Sequence, residues 1–247
     1  MSTSPDDGRT VTTLGHRSLA GFVVATVLCL AAVLAMVAWA EVDPQGLRRA
    51  CVEDGPIEWL SAIFYLVSAI GFLAAAWRSE YLRARPEWWI RAMTLGWAVL
   101  MFAFFGEEIS WGQRLLGIET PEWFATMNRQ KETNLHNIFW IEQPIGGVYR
   151  VVSIMILMTG IVIPIAALAR RGREFLQRIA FPVLPWGWAC LFIGCFLYDR
   201  YYPKILGLPS SEVREFLLAV GMMAFGLHAA WRSGDVFRVR ETGSPRR

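Results

Sequence analysis

The stretch WWIRAMTLGWAVLMFAFFGEEISWGQRLLG, residues 88–117, decides the fold. From Trp88 to Gly106 only Arg91 and Thr94 interrupt an apolar run. About 20 such residues, wound as a helix, cross the hydrocarbon core of a bilayer. The run stops at two adjacent carboxylates, Glu107 and Glu108. Ionised carboxylates are costly in lipid, so this pair marks a membrane surface. It also sits at the C-terminal end of a helix, where the dipole disfavours negative charge. The pair therefore calls for a compensating partner: Arg114, another arginine or a cation.

The rest of the chain repeats the pattern. Six apolar blocks stand at roughly 19–40, 57–77, 88–108, 149–169, 179–198 and 212–231. The composition is 55% hydrophobic, with twelve Trp, most of them near block ends as in an aromatic belt. Mean hydropathy is +0.37. Lipid offers no partner to backbone polar groups, so each span must be helical. The expected fold is an all-α polytopic membrane bundle. One transmembrane domain covers 19–231, with tails at 1–18 and 232–247, the latter reading as disordered. Arg17, the apolar run and AWA at 38–40 also resemble a secretory signal with its cleavage site. The run exceeds the usual 7–15 or so apolar residues of such signals, so a retained first helix is expected.

Lys and Arg place the loops. The N-terminal tail, 78–91, 170–178 and the C-terminal tail hold 15 of the 24. Basic loops stay on the cytoplasmic side, so both termini are expected there, in a bacterial inner membrane. The net charge of +3 reflects this asymmetry and gives no argument for nucleic acid. Cys29, Cys190 and Cys195 fall in spans and Cys51 alone in an outer loop. No outer disulfide within the chain and no Cys/His zinc pattern follows.

Polar residues gather on the outer side. In one helix Glu107, Trp111 and Arg114 would share a face, Arg114 reaching Glu107 over Trp111. Glu108 would point about 100° away. The outer loop 106–147 is long for a bundle connection, and such loops are commonly functional. In it, Thr120 is a candidate N-cap and Pro121 a first helical residue of a short interfacial helix carrying Trp123 and Phe124. Glu53, Asp54 and Glu58 flank the mouth of the second span. Glu58, Ser61, Tyr65 and Ser68 form one stripe on it, expected to face the bundle interior as helix–helix contact or as a polar path. Asp199 and Arg200 follow the fifth span, and Glu212 opens the sixth. His228 lies about 24 Å down the sixth span, near the cytoplasmic end.

The segment EEISWGQRLLGIETPEWF…NLHN, with EDGPIEWLSAIFYL before it, resembles the signature of an uncharacterised family of bacterial multi-span membrane proteins. The likeness covers roughly 51–142. Two enzyme families are similar in part. CAAX-type membrane proteases carry a Glu-Glu pair followed by histidines, which Glu107, Glu108 and His136 match. Their arginine is closer to the pair than Arg114, and their second histidine has no counterpart. Alkaline ceramidase-like membrane hydrolases have an acidic segment leading into a helix, as CVEDGPIEWLSAIFYLVSA does. Their three zinc-binding histidines have no counterparts.

Three functional readings follow. The first is a membrane-embedded hydrolase or transferase acting on a lipid, lipid-linked or membrane-proximal substrate. Glu107 or Glu108 would activate water or, with His136, hold a divalent metal such as zinc. Arg114 would steady the glutamate or an anionic group, and Asn134 and Asn137 would donate to an oxyanion. Trp111, Gln113, Asn128, Asp54, Glu58, Asp199 and Arg200 complete the substrate-facing set. The second is a transporter or channel using Glu58, Glu107 and Glu108. The third is an assembly protein whose outer loop binds another membrane protein.

Overall fold

The computed structural model describes residues 13–52, 54–78, 88–128, 131–135, 138, 154–155, 157–179, 181–184, 188–206 and 210–231. Of the sites named above, Glu53, His136 and Asn137 lie outside them, as do the tails 1–12 and 232–247. The side chains of Arg114, Asp199 and Arg200 lie outside the described set as well.

The described residues are all-helical, without a named strand. The long helices are α1 (Thr13–Val42), α3 (Pro56–Arg78), α4 (Trp88–Glu108), α9 (Ala189–Leu206) and α10 (Ser210–Trp231). Short helices lie between them: α2 (Pro44–Ala50), α5 (Gln113–Leu116), α6 (Glu122–Ala125), α7 (Ile163–Ala166) and α8 (Arg170–Arg178). By length and composition α3 and α10 can cross a membrane, and α1 with α2 makes a third if the bent pair is one span.

That bend is written in the sequence EVDPQG. Pro44 disfavours helix at Asp43 and starts the next helix as its first residue. The Asp43 carboxylate then accepts from Gly46 N at 2.8 Å. The result is a 117° turn that lays α2 across the bundle end. Leu47 and Ala50 are buried there, and α1 adds Cys29, Met36 and Ala40 to the core.

Helix α3 is the hub, packing on α10 and on α4; α9 packs on α10, and α1 on α9. Small residues make the α3–α10 contact. A Cβ at Gly71 would run into the Gly226 backbone, and one at Gly226 into the Ser68 backbone. Ser68 Oγ donates to Met222 O at 2.6 Å across the same seam. Below it an aromatic knot binds three helices. Phe72 meets Phe225 edge-on at 5.1 Å and stacks on Trp97 at 5.7 Å. The stripe Ser61, Tyr65 and Ser68 is buried, as its spacing predicts.

The outside is apolar. Val24, Val27, Leu34, Ile70 and Val99 are each more than half exposed. Trp77, Trp88 and Trp231, the most exposed tryptophans among the described residues, stand at one end of α3, α4 and α10. Trp59 stands at the other end of α3, eighteen residues away, about 27 Å of helix. That separation matches a hydrocarbon core with an aromatic at each boundary. An apolar, Trp-bounded surface of this kind belongs in a membrane.

Four expectations need correcting. The helix expected at 179–198 is Ala189–Leu206, because Pro182 and Pro185 cannot continue a helix. Asp199 and Arg200 therefore lie inside α9, not past its end. Helix α4 stops at Glu108, so Glu107, Trp111 and Arg114 do not share one continuous helix. Pro121, not Thr120, caps α6, which begins at Glu122. The N-terminal helix starts at Thr13, inside the expected tail.

Gly226→Leu should destabilise the bundle by about 1–3 kcal/mol or more through overpacking. Gly96 faces open space on α4, and Gly96→Ala should stabilise by roughly 0.5–1 kcal/mol. Thermal unfolding of the two variants in detergent checks both signs.

Candidate functional site

The site begins where α4 ends. After Glu108 the chain enters a tight turn, with Ser110 at φ 47° and Trp111 at φ 55°. Such left-handed positions are strained for non-glycine residues and persist only when surroundings hold them. Here Glu107 holds them. Its Oε1 accepts from Trp111 Nε1 at 2.8 Å, and its Oε2 accepts from Leu135 N at 2.6 Å. The Trp111 ring folds against Gly106, where a Cβ would strike the indole. Two N–H donors thus help to offset the unfavourable dipole at Glu107; the Arg114 side chain, expected in that role beside another arginine or a cation, lies outside the described residues.

The loop that Glu107 grips has its own buried polar core. Ser110, Asn128, Glu132 and Asn134 are each under a tenth exposed. Ser110 Oγ donates to Glu132 Oε2 at 2.6 Å, and Asn134 Nδ2 donates to the same oxygen at 3.0 Å. Asn128 Nδ2 donates to Asn134 O at 2.7 Å and to its Oδ1 at 2.8 Å. Thr133 N donates to Gln113 Oε1 at 2.7 Å, while Gln113 Nε2 donates to Thr120 Oγ1. The structure gives Gln113, Asn128 and Asn134 partners inside the loop, where they order it. An isolated bridge between Asn128 and Ile138 closes the segment. His136 follows directly on the pinned Leu135. Outside this core, Leu116, Ile118 and Trp123 are exposed, as an interfacial surface would be.

Glu108 points elsewhere, as its helical position predicts. Glu215, Glu212, Glu58 and Glu107 all act electrostatically on it. Glu58 lies in the first turn of α3, where the dipole favours it, and its Oε2 accepts from Asp54 N at 2.6 Å. Asp54 itself adopts φ 61° to make that turn. Behind the carboxylates lies Arg214, 3% exposed, whose Nη2 is 3.2 Å from Glu215 Oε1. Tyr65 OH donates to Glu215 O at 3.4 Å, and Cys195 Sγ to Arg214 O at 3.2 Å. Helices α3, α4, α9 and α10 thus meet in one charged rim.

A cleft opens in this rim, lined by Asp54, Glu58, Trp59, Glu108, Ile109 and Leu115. It has room for roughly one water molecule. Its chemistry is that of carboxylates facing a single small guest beneath an apolar lip. Among the described residues no three His, Cys, Asp or Glu side chains are placed to hold a metal ion.

Cys51 borders the rim. Burial, and next the charge of Glu212, push its thiol up from 9.0 to about 12. His228 sits half-buried in the last turn of α10, far from the rim, as expected. Sequence reasoning missed Ser110, Glu132, Arg214 and Glu215. The signal for the last two was an Arg-Glu pair one turn into an apolar helix. Comparison of the chain with protein-family models, curated proteins and solved structures finds no match.

Glu107→Gln replaces one acceptor with a donor facing an N–H, which should weaken loop docking by about 1–3 kcal/mol. Limited proteolysis should then cut within 109–138 faster than in the wild type, with the helices intact. Cys51 should resist maleimide in the folded protein at pH values where an unfolded thiol reacts. Glu212→Gln removes a negative charge, favours the thiolate and should move the onset of labelling to lower pH.

Proposed function

We propose that the chain is a six-span protein of the bacterial inner membrane, with both termini cytoplasmic and the acidic rim outside. In this reading it is a hydrolase or transferase acting on a lipid, lipid-linked or membrane-proximal substrate. The observation that carries it is the water-sized cleft shared by Glu108, Glu58 and Asp54. It lies level with Trp59, at the membrane boundary.

A water held between carboxylates is poised for deprotonation. Glu108 is the general base, because Glu107 is already committed to Trp111 and Leu135. Glu58, held by Asp54 N, orients the water. Tyr65 and the Arg214–Glu215 pair back the site and set its field. Trp59, Ile109 and Leu115 form an apolar lip suited to the acyl portion of a substrate entering from the outer leaflet. His136, next in sequence to the clamped Leu135, is in this reading the second proton carrier. A divalent metal such as zinc would have to recruit His136 to Glu108.

The same carboxylates would suit a transporter. The stripe below Glu58, however, ends in the Ser68–Met222 bond and the Gly71–Gly226 contact. Backbone against backbone leaves no path there, which supports a site open to one side.

The test is turnover in proteoliposomes against a panel of ester, amide and phosphodiester lipids. Glu108→Gln should lower kcat about 100-fold or more, and Glu58→Gln by less, while Glu107→Gln acts mainly through loop order. Equal turnover in Glu108→Gln would sink this reading. Metal content by mass spectrometry, for wild type beside His136→Ala and Glu108→Ala, separates the two forms of the chemistry. About one ion per chain, lost in both variants, assigns a metal hydrolase; none assigns general-base catalysis by Glu108.

A further inference from the structure

Helix α8, RRGREFLQR, differs from the other described helices. It holds four arginines and one glutamate in nine residues. Its inner face is narrow: Leu176 is buried, and a Cβ at Gly172 would meet the Ala166 carbonyl. Arg170 is paired with Glu174 at 2.8 Å, and Arg173 Nη2 donates to Leu168 O at 3.5 Å. Arg171 and Arg178 remain exposed on the outer side. Phe175, 60% exposed, stands one turn from Arg171 and next to Arg178 on that same side.

The position of α8 fits this pattern. The residues before it expose Val162, Ile165 and, in the turn that follows, Leu168, an apolar surface suited to lipid. Phe181, three residues beyond α8, packs on Trp97 at 5.9 Å. Trp97 lies eleven residues before Glu108, about 16 Å along α4. Trp97 shares a layer with Phe72 and Phe225, each about 9 Å of helix from the ends of α3 and α10 at Arg78 and Trp231, so α8 lies on the half of the bundle away from the acidic rim.

We infer that α8 is an interfacial helix that binds anionic phospholipid headgroups in the leaflet opposite the acidic rim. Phe175 enters the headgroup–acyl boundary, and the Arg171 and Arg178 guanidiniums take phosphate oxygens on either side of it. An aromatic flanked by two guanidiniums fits an acidic lipid better than a zwitterionic one, because no choline or amine opposes them. The inference rests on the membrane setting of the chain and is independent of the chemistry at the rim.

The test uses the full-length protein in phosphatidylcholine vesicles containing spin-labelled phosphatidylglycerol or spin-labelled phosphatidylcholine. The wild type should immobilise the glycerol lipid preferentially at low salt. Arg171→Gln with Arg178→Gln should lower that preference about fivefold or more. Arg171→Lys with Arg178→Lys should keep most of it. If the double Gln variant does not insert, Arg178→Gln alone must lower the preference. An unchanged preference in the Gln variants overturns the inference and moves the acidic-lipid contact to the other basic segments.

Discussion

The bundle depends on two glycines meeting. Gly71 and Gly226 let α3 and α10 touch backbone to backbone. In lipid there is no hydrophobic force between helices, so association relies on close van der Waals contact and interhelical hydrogen bonds. The seam supplies both, with Ser68 Oγ bonded to Met222 O just above it. Everything else is referred to α3. Helix α4 packs on its other side, the Phe72–Trp97–Phe225 knot locks the three together, α9 adds on through α10, and α1 through α9. The rim exists because this seam brings the ends of α3, α4 and α10 to one level.

At that level two neighbouring carboxylates divide their work by direction. Helical geometry turns Glu107 and Glu108 about 100° apart. Glu107 faces the loop and satisfies two donors, one of them twenty-eight residues away. Glu108 faces the bundle, among Glu58, Glu212 and Glu215. The strained turn at Ser110 and Trp111 lies between the two environments. One carboxylate orders the loop that follows α4, which leaves the other available at the cleft.

Much of the scaffold was legible because unbroken apolar runs leave little freedom. The expected 57–77, 88–108 and 212–231 match Pro56–Arg78, Trp88–Glu108 and Ser210–Trp231 within about two residues. The block at 179–198 misled because hydropathy outweighed Pro182 and Pro185, whose missing N–H groups push the helix start to Ala189. The stripe on α3 was legible from its spacing. The loop was not. Little in the local sequence says that Glu132 is buried, since its burial depends on Ser110 arriving from twenty-two residues away. Arg214 was hidden for the same reason: a buried arginine beside a glutamate is a tertiary fact, made by Tyr65 and Cys195 closing over it. Trp111 was assigned the right neighbour for the wrong reason. It meets Glu107 through a left-handed turn, not along a helix face.

The placement of Glu107 and Glu108 has an electrical side. When α4 enters the membrane, neither Leu135 nor the last helix has been made, so both carboxylates arrive without their later neighbours. In the proposed orientation, with the termini cytoplasmic, they would travel outward through a potential that is negative inside. Moving one charge across is worth about 2.3 kcal/mol per 100 mV. The field draws the pair outward, and it holds Arg78 and Arg91 back at the other boundary. In that orientation, before they belong to any site, the two glutamates would be an electrophoretic handle that sets which way α4 points.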